Sequence, residues 1–473
     1  MIREVSRTTR FAGAVLVLLG AMCARPAAGQ GTIADELRTK IDAAVTDVLT
    51  KTGAPSASIA LVAEGRIVYT HAYGLANLES KTPATPGMRY SIGSVSKQFT
   101  STAILLLAEE GKLTLDDRVA RWLPDLTRAG EVTIRQILSM TSGYQDYWPQ
   151  DYVMPPMLKP VTVQAILDQW ARKPLDFEPG SRWQYSNTNY VIAGLIVEKA
   201  SGIPLLEFLS KRIFGPLAMK TVSDIDSAPL GSNDPARYLR FALGPPRLAP
   251  KEGKGWLFAA GELAMTADDL ARWDVSMIDR TVLHPASYRE MQTDMRLTNG
   301  AGTRYGLGVQ VQMTGGRRLI AHGGEVSGFT AENQVYPDDR AAVVVLVNLD
   351  ASNASGQIAT RLSGLLFESM HTAGSAMLER ARSVFTGLQR GQIDRALFTV
   401  NANAYFDDAA LKDFAASLGP LGAPVEFAEQ SRSLRGGMTF VSYRIRGSQA
   451  TVVATTFVTP DGKLEQFQVA PQE

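Results

Sequence analysis

The chain's 473 residues exceed what one hydrophobic core ordinarily sustains, so two or three domains are expected. Its 48 basic and 47 acidic side chains leave no net field to draw in nucleic acid or an acidic membrane, and a small neutral substrate fits better. One cysteine and four scattered histidines argue against a disulfide framework and against metal-dependent hydrolysis.

The N-terminus has the three parts of an export signal. Arg3, Arg7 and Arg10 precede an apolar core from Phe11 to Met22, and small residues follow at Ala27-Ala28-Gly29. Residues 1–29 are therefore expected to be a signal peptide cut after Gly29. The apolar core falls short of the roughly 20 residues that cross a bilayer, so no stable membrane span is expected, and the protein reads as exported, periplasmic or secreted. Cys23 lies inside this leader, and bulky Met22 before it argues against lipid attachment there.

After the leader, Ile33, Leu37, Ile41, Val45 and Val48 recur at helical spacing and predict an amphipathic helix ending near Gly53. Ser58 to Val62 and Arg66 to Ala72 are β-rich runs joined across Ala63-Glu64-Gly65, which reads as a hairpin. Residues 94 to about 110 read as a buried helix closed by Gly111. From there to about residue 300 the pattern is mainly helical, over Val132–Met140, Val161–Arg172, Thr188–Ala200, Pro204–Phe214 and Ala267–Met277. Strands return at Tyr305–Met313, Arg318–His322, Ala331–Tyr336 and Ala341–Asn348, and a helix follows from about Ser355 to Met370. A sheet begun early and finished late, with helices between, implies one sheet domain split by a helical insertion, with a site where the two parts meet. Near Ala373-Gly374-Ser375 the composition shifts, marking a boundary or a continued helix. Beyond it, helices around 376–391 and 408–418 and four β-like runs describe a small α+β domain, read as a structural or docking module.

Three short stretches carry chemistry. In the first, Lys97 follows Ser94 by three positions at a helix start, which puts a proton acceptor beside a hydroxyl that is a poor nucleophile without one. Orphan N–H groups of the same helix start can face an oxyanion. Taken alone, Ser-x-x-Lys is a weak signal. The second stretch is Tyr185-Ser186-Asn187 after the turn Glu178-Pro179-Gly180. In extended chain Tyr185 and Asn187 share a side, a phenol near a cation can shuttle a proton, and a carboxamide can bind a substrate amide or ester. The third is His322-Gly323-Gly324-Glu325 at a strand end, where glycines let a substrate lie against the backbone and Glu325 can offer its main-chain N–H.

Together these resemble the serine beta-lactamase-like family, in the class C branch that also holds D-alanyl-D-alanine carboxypeptidases, D-aminopeptidases and esterases. The resemblance covers roughly residues 33 to 370. It includes the flanks Leu138-Ser139-Met140-Thr141-Ser142-Gly143, Gly261-Glu262-Leu263 and Tyr305-Gly306-Leu307-Gly308. It implies an α/β fold: an antiparallel sheet flanked by helices, with a helical insertion, in a hydrolase domain over 30–373, followed by the small α+β domain over 374–473. By the same resemblance Ser94 forms an acyl-enzyme, neutral Lys97 accepts its proton, and Tyr185 relays a proton. Asn187 and the 322–325 stretch hold the substrate, and the N–H groups of Ser94 and Glu325 form the oxyanion hole. No metal or cofactor is called for.

The sequence departs from the lactamase pattern where His322-Gly323-Gly324 replaces Lys-Thr-Gly, losing a fixed charge and a hydroxyl, and where Met140 stands in place of a frequent histidine. The expected activity is therefore an esterase or peptidase on a small ester, amide or D-amino-acid peptide, rather than antibiotic hydrolysis. A non-catalytic ligand-binding or penicillin-sensing protein on the same scaffold is the alternative. A conventional α/β-hydrolase is disfavoured because no serine sits in Gly-x-Ser-x-Gly.

Overall fold

The computed structural model describes residues 33–150 and 152–472, so the expected leader lies outside the described residues. Helix α1 (Asp35–Thr52) turns Leu37, Ile41, Val45 and Val48 inward, as their spacing predicts. It ends at Gly53, which adopts the left-handed conformation (φ 68°). Strands β1 (Ser56–Ala63) and β2 (Arg66–Asn77) form the expected hairpin around Glu64 and Gly65, both at positive φ, as a two-residue turn between right-twisted strands demands.

Strands β3 (Gln310–Thr314), β4 (Arg317–Val326), β5 (Phe329–Tyr336) and β6 (Ala341–Val347) complete the sheet. Its seven strands run in the order Thr82–Pro83, β2, β1, β6, β5, β4, β3, with β1 and β6 antiparallel neighbours. Chain-distant strands thus meet at the centre, which is the split sheet expected from the pattern. Successive side chains of β1 and β6 enter opposite cores. Ala57, Ile59, Leu61, Val343, Val345 and Val347 pack under α1 and α6 (Ala354–Leu388), while Ala60, Val62, Val344 and Leu346 face the helical insertion. Fully burying each valine, leucine or isoleucine here contributes about 1.5–3 kcal/mol.

The insertion is centred on α2 (Lys97–Glu109), in which Lys97 through Leu107 are all buried. A helix buried on every side lies in the middle of a core, and its polar residues there, such as Gln98 and Thr100, find hydrogen-bond partners. Around it lie α3 (Ile134–Leu138), α4 (Asn187–Ser201) and α5 (Ala267–Asp279). The segments predicted as helices over 161–172 and 204–214 each start as α-helix and finish in a wider π turn, at Leu167–Ala171 and Ser210–Phe214.

Two expectations differ. The strand predicted from Tyr305 begins only at Gln310, because Gly306 and Gly308 press against neighbouring backbone. A Cβ on Gly306 would lie 2.1 Å from Met291 O, and one on Gly308 2.9 Å from Lys97 O, so this stretch packs on Met291 and α2 and makes only an isolated bridge, Tyr305 to Gln310, before β3. The helices predicted over 355–370 and 376–391 are one helix of 35 residues, about 52 Å long. Its first half buries Ile358, Leu362 and Leu366 on the sheet. Its last turns bury Ala381, Val384, Phe385 and Leu388 in a separate core with Phe427, Tyr443 and Phe467. The division expected between 373 and 374 falls inside this helix, which serves both cores. The second core is formed with α7 (Asp408–Leu418) and an antiparallel meander of β7 (Glu426–Arg435), β8 (Met438–Arg446), β9 (Thr451–Val458) and β10 (Leu464–Pro471). Among the described residues no helix is long and apolar enough to cross a membrane.

Candidate active site

Ser94 lies in a 3₁₀ turn (Gly93–Ser96) that leads into α2. In such a turn positions i and i+3 eclipse, which stacks the Lys97 amine on the Ser94 hydroxyl. Lys97 Nζ is 2.9 Å from Ser94 Oγ, 2.8 Å from Asn187 Oδ1 and 2.8 Å from Ala260 O. It is fully buried, whereas Ser94 is partly exposed at the floor of a cleft of about 730 Å³. Burial pulls the lysine's pKa down from 10.5 to about 7, against an opposing pull from the Asp146 carboxylate.

That value decides how the hydrogen bonds run. A neutral amine has two N–H groups and one lone pair, and the carbonyl oxygens of Asn187 and Ala260 can only accept. The lone pair is then left for the Ser94 O–H, as a general base requires.

Tyr185 turns its phenol toward Ser94, with its ring 5.0 Å from Lys97 Nζ. Loss of solvent holds this phenol well above its usual range, so it stays protonated and is a donor rather than a base. The segment carrying it is pinned by α3. A capping box between Thr133 and Gln136 starts that helix, and Met140 follows it in the left-handed conformation (φ 62°). Met140 O accepts the Gln184 N–H at 3.0 Å and its Sδ accepts the Ser186 N–H at 3.4 Å, so the sulfur supplies an acceptor where relatives often carry histidine. Ser186 is extended, and Asn187 opens α4.

Asn187 has a part beyond the expected one. Its Oδ1 is taken by Lys97 and its Nδ2 faces Asp146 at 3.2 and 3.4 Å, so both ends of the amide are engaged by protein. It positions the base, and it also lines the cleft. His322 lines the cleft as well. The ring is 3% exposed, Nδ1 pairs with Gly323 O at 2.6 Å and Nε2 with the Tyr305 hydroxyl at 2.9 Å. Burial, reinforced by the Lys97 charge, lowers its pKa to about 4. A neutral imidazole with both nitrogens partnered cannot replace the fixed positive charge of a lysine. It packs instead in an aromatic wall with Tyr185 and Tyr305.

Gly323 and Gly324 behave differently from each other. A Cβ on Gly324 would lie 1.9 Å from Ile92 O, and one on Gly93 (φ 51°) 2.8 Å from Glu325 N. Only glycine at both places lets β4 close on the Ser94 turn and set the main-chain N–H groups of Ser94 and Glu325 beside one another. Gly323 is open: a Cβ there would meet nothing nearer than Glu332 Oε2 at 3.5 Å. The Glu325 side chain is exposed and accepts the Ala351 N–H at 2.7 Å.

The structure therefore gathers Ser94, Tyr185, Asn187 and the 322–325 stretch at one cleft, with Lys97 buried directly behind Ser94. It adds Asp146, Ala260 and Tyr305, which sequence reasoning did not single out as site residues. The signal for Asp146 was slight: a lone acid in the aromatic loop Tyr144-Gln145-Asp146-Tyr147-Trp148. Ala260 acts through its carbonyl, which any residue would supply. A second hollow of about 670 Å³ between Thr127 and Arg182 contains none of the expected site residues. Among the described residues no group of three or more His, Cys, Asp or Glu is gathered as a metal site requires.

Comparison with known proteins agrees with this geometry. A family model described as Beta-lactamase matches residues 41–366. A D-aminopeptidase of Brucella canis is 32% identical over 318 residues, covering 64% of this chain and 57% of that protein. The chain thus spans little more than half the length of such relatives. The structure of a D-amino acid amidase from Ochrobactrum anthropi SV3, complexed with L-phenylalanine amide, is 25% identical with a TM-score of 0.61, over 72% of this chain and 99% of that one. An octameric penicillin-binding protein homologue from Pyrococcus abyssi, 22% identical with a TM-score of 0.61 over 91% of this chain and 99% of its own, shares the fold. With its hydroxyl, buried amine and phenol converging on one cleft and a family model matched across most of its length, the chain belongs to the beta-lactamase family.

Proposed function

We propose that this protein is an exported serine hydrolase that cleaves amides of D-amino acids, or the N-terminal D-residue of a short peptide, through an acyl-enzyme at Ser94. The observation that carries the reading is the Lys97 amine, fully buried, drawn toward neutrality and 2.9 Å from Ser94 Oγ. Lys97 takes the hydroxyl proton as Oγ attacks the carbonyl carbon, and the oxyanion forms against the N–H groups of Ser94 and Glu325. The protonated Tyr185 phenol gives its proton to the leaving nitrogen as the C–N bond breaks, and Lys97 returns one to the phenol. Water then enters, loses its proton to the same pair, and releases the acid.

The substrate class is supported by what the cleft lacks. His322 is neutral and Gly323 has no hydroxyl, so the anion-binding groups of Lys-Thr-Gly are missing. The cleft is lined instead by the carboxyl groups of Asp146, Glu325, Glu332 and Asp350, with burial pushing up Asp146, Glu332 and Asp350, and such a lining suits a substrate with a free ammonium better than one with a free carboxylate. The named activities of the Brucella and Ochrobactrum proteins point the same way. Turnover of D- and L-alanine and phenylalanine p-nitroanilides by wild type and Ser94→Ala tests this. D-selective release abolished in the variant is expected, and equal release by both proteins would refute the reading. Export rests on the composition of residues 1–29. Recovery of a chain beginning at Gln30 outside the cytoplasm is expected, and an intact leader on a cytoplasmic chain would refute it.

A further inference from the structure

Asp146 sits at the cleft beside the start of α4 and belongs to none of the three motifs. Its Oδ1 accepts the Asn187 main-chain N–H at 2.9 Å, the Asn187 Nδ2 at 3.2 Å and the Trp148 N–H at 3.2 Å, and its Oδ2 is 3.4 Å from Asn187 Nδ2. A carboxylate only accepts hydrogen bonds, so the Asn187 amide must turn its nitrogen toward Asp146 and its carbonyl toward Lys97. Flipped, the amide would aim an N–H at Lys97 and claim the lone pair that otherwise faces Ser94.

We propose that Asp146 is the positioning residue of this site: it locks the Asn187 amide with its carbonyl on Lys97 and supplies the negative charge that lets the buried amine receive the Ser94 proton. The inference rests on the hydrolase reading above. The groups facing Lys97 are Ser94 from its own turn, Tyr185, Asn187 and Tyr190 on and before α4, the Ala260 carbonyl, His322 from β4, and Asp146. The tyrosines stay protonated and His322 stays neutral, which leaves the Asp146 carboxyl to oppose the burial of Lys97; burial pushes that carboxyl up in turn, against the Asn187 and Trp148 N–H groups and Lys97, which favour its charged form. Around Asp146 stand Lys97, Asn187, Tyr147 and Tyr185.

Two substitutions separate the roles. Asp146→Asn keeps an oxygen where Oδ1 accepts both Asn187 contacts but removes the charge, and Asp146→Ala removes both. The readout is the rate at which a fluorophosphonate labels Ser94 between pH 5 and 10, for wild type, both variants, Asn187→Ala and the Asp146→Ala/Asn187→Ala double variant. In Asp146→Asn the acid limb is expected to move to lower pH by half a unit or more, with a smaller fall in the plateau than in Asp146→Ala. In Asp146→Ala the plateau is expected to fall at least tenfold, with the double variant no worse than Asn187→Ala within about twofold, since both changes break one chain of contacts. An unmoved acid limb in Asp146→Asn, or losses that multiply in the double variant, would overturn the proposal. The isosteric variant keeps the test valid if the alanine variant fails to fold. Absence of any wild-type adduct at Ser94 would instead remove the hydrolase reading beneath it.

Discussion

Lys97 Nζ stands 2.9 Å from Ser94 Oγ, and its other two close contacts end on carbonyl oxygens, Asn187 Oδ1 and Ala260 O, each 2.8 Å away. Because both carbonyls demand a donor, the amine can satisfy all three neighbours in its neutral form only by accepting from the serine. Burial supplies the neutral form by bringing the pKa to about 7.

The phenol of Tyr185 is held well above its ordinary range, which assigns it the donor's part. Tyr185→Phe should then spare reactions whose leaving group needs no proton. Labelling by a fluorophosphonate, which expels fluoride, is expected within about threefold of wild type, while amide turnover falls by about 10²- to 10⁴-fold. Equal losses in the two assays would make Tyr185 part of nucleophile activation instead.

Gly324 and Gly323 are adjacent but should respond oppositely to alanine. At Gly324 the new Cβ collides with backbone at Ile92 O, 1.9 Å away, so β4 must withdraw from the Ser94 turn and part the two N–H groups. Acylation is expected to fall about 10²- to 10³-fold, the usual loss for one oxyanion donor. At Gly323 the nearest atom is 3.5 Å away, and acylation by the same probe should stay within about twofold.

Lys97 should weaken the fold in the pH range where it works. Its folded pKa, about 7, lies below the 10.5 of an unperturbed lysine, so between those values the unfolded chain binds the extra proton and stability rises with pH. Replacing it by methionine removes this linkage. Between pH 7 and pH 9 wild type should gain about 2–3 kcal/mol relative to Lys97→Met in urea unfolding, with the variant inactive throughout. Parallel stability curves would mean that the lysine is charged in the folded protein.

Much of this was legible in the sequence. The 3.6-residue spacing of Leu37, Ile41, Val45 and Val48, the Glu64-Gly65 turn and the buried runs of β1 and β6 are local signals that tertiary packing reinforces. Ser94, Lys97 and Tyr185 could be read because their chemistry depends on residue type at short spacing. Asp146 could not, because its contact with Asn187 joins loops 41 residues apart and no spacing rule links them. His322 kept its place in the cleft, as a neutral ring in an aromatic wall. Its partners, Gly323 O and Tyr305, are visible only after folding. At Ala373-Gly374-Ser375 the sequence left a boundary and a continued helix both open, and the helix continues; small residues dominate its middle, where no core face is needed.

The most direct test follows the labelling of Ser94 by a fluorophosphonate in the wild-type chain as pH is varied, with the adduct located by peptide mass. The adduct should lie on the peptide containing Ser94, and its rate should rise about tenfold per pH unit up to a midpoint near 7 and then level off. A rate that keeps rising to a midpoint near 10, or an adduct on another residue, would contradict a neutral Lys97 as the base for Ser94.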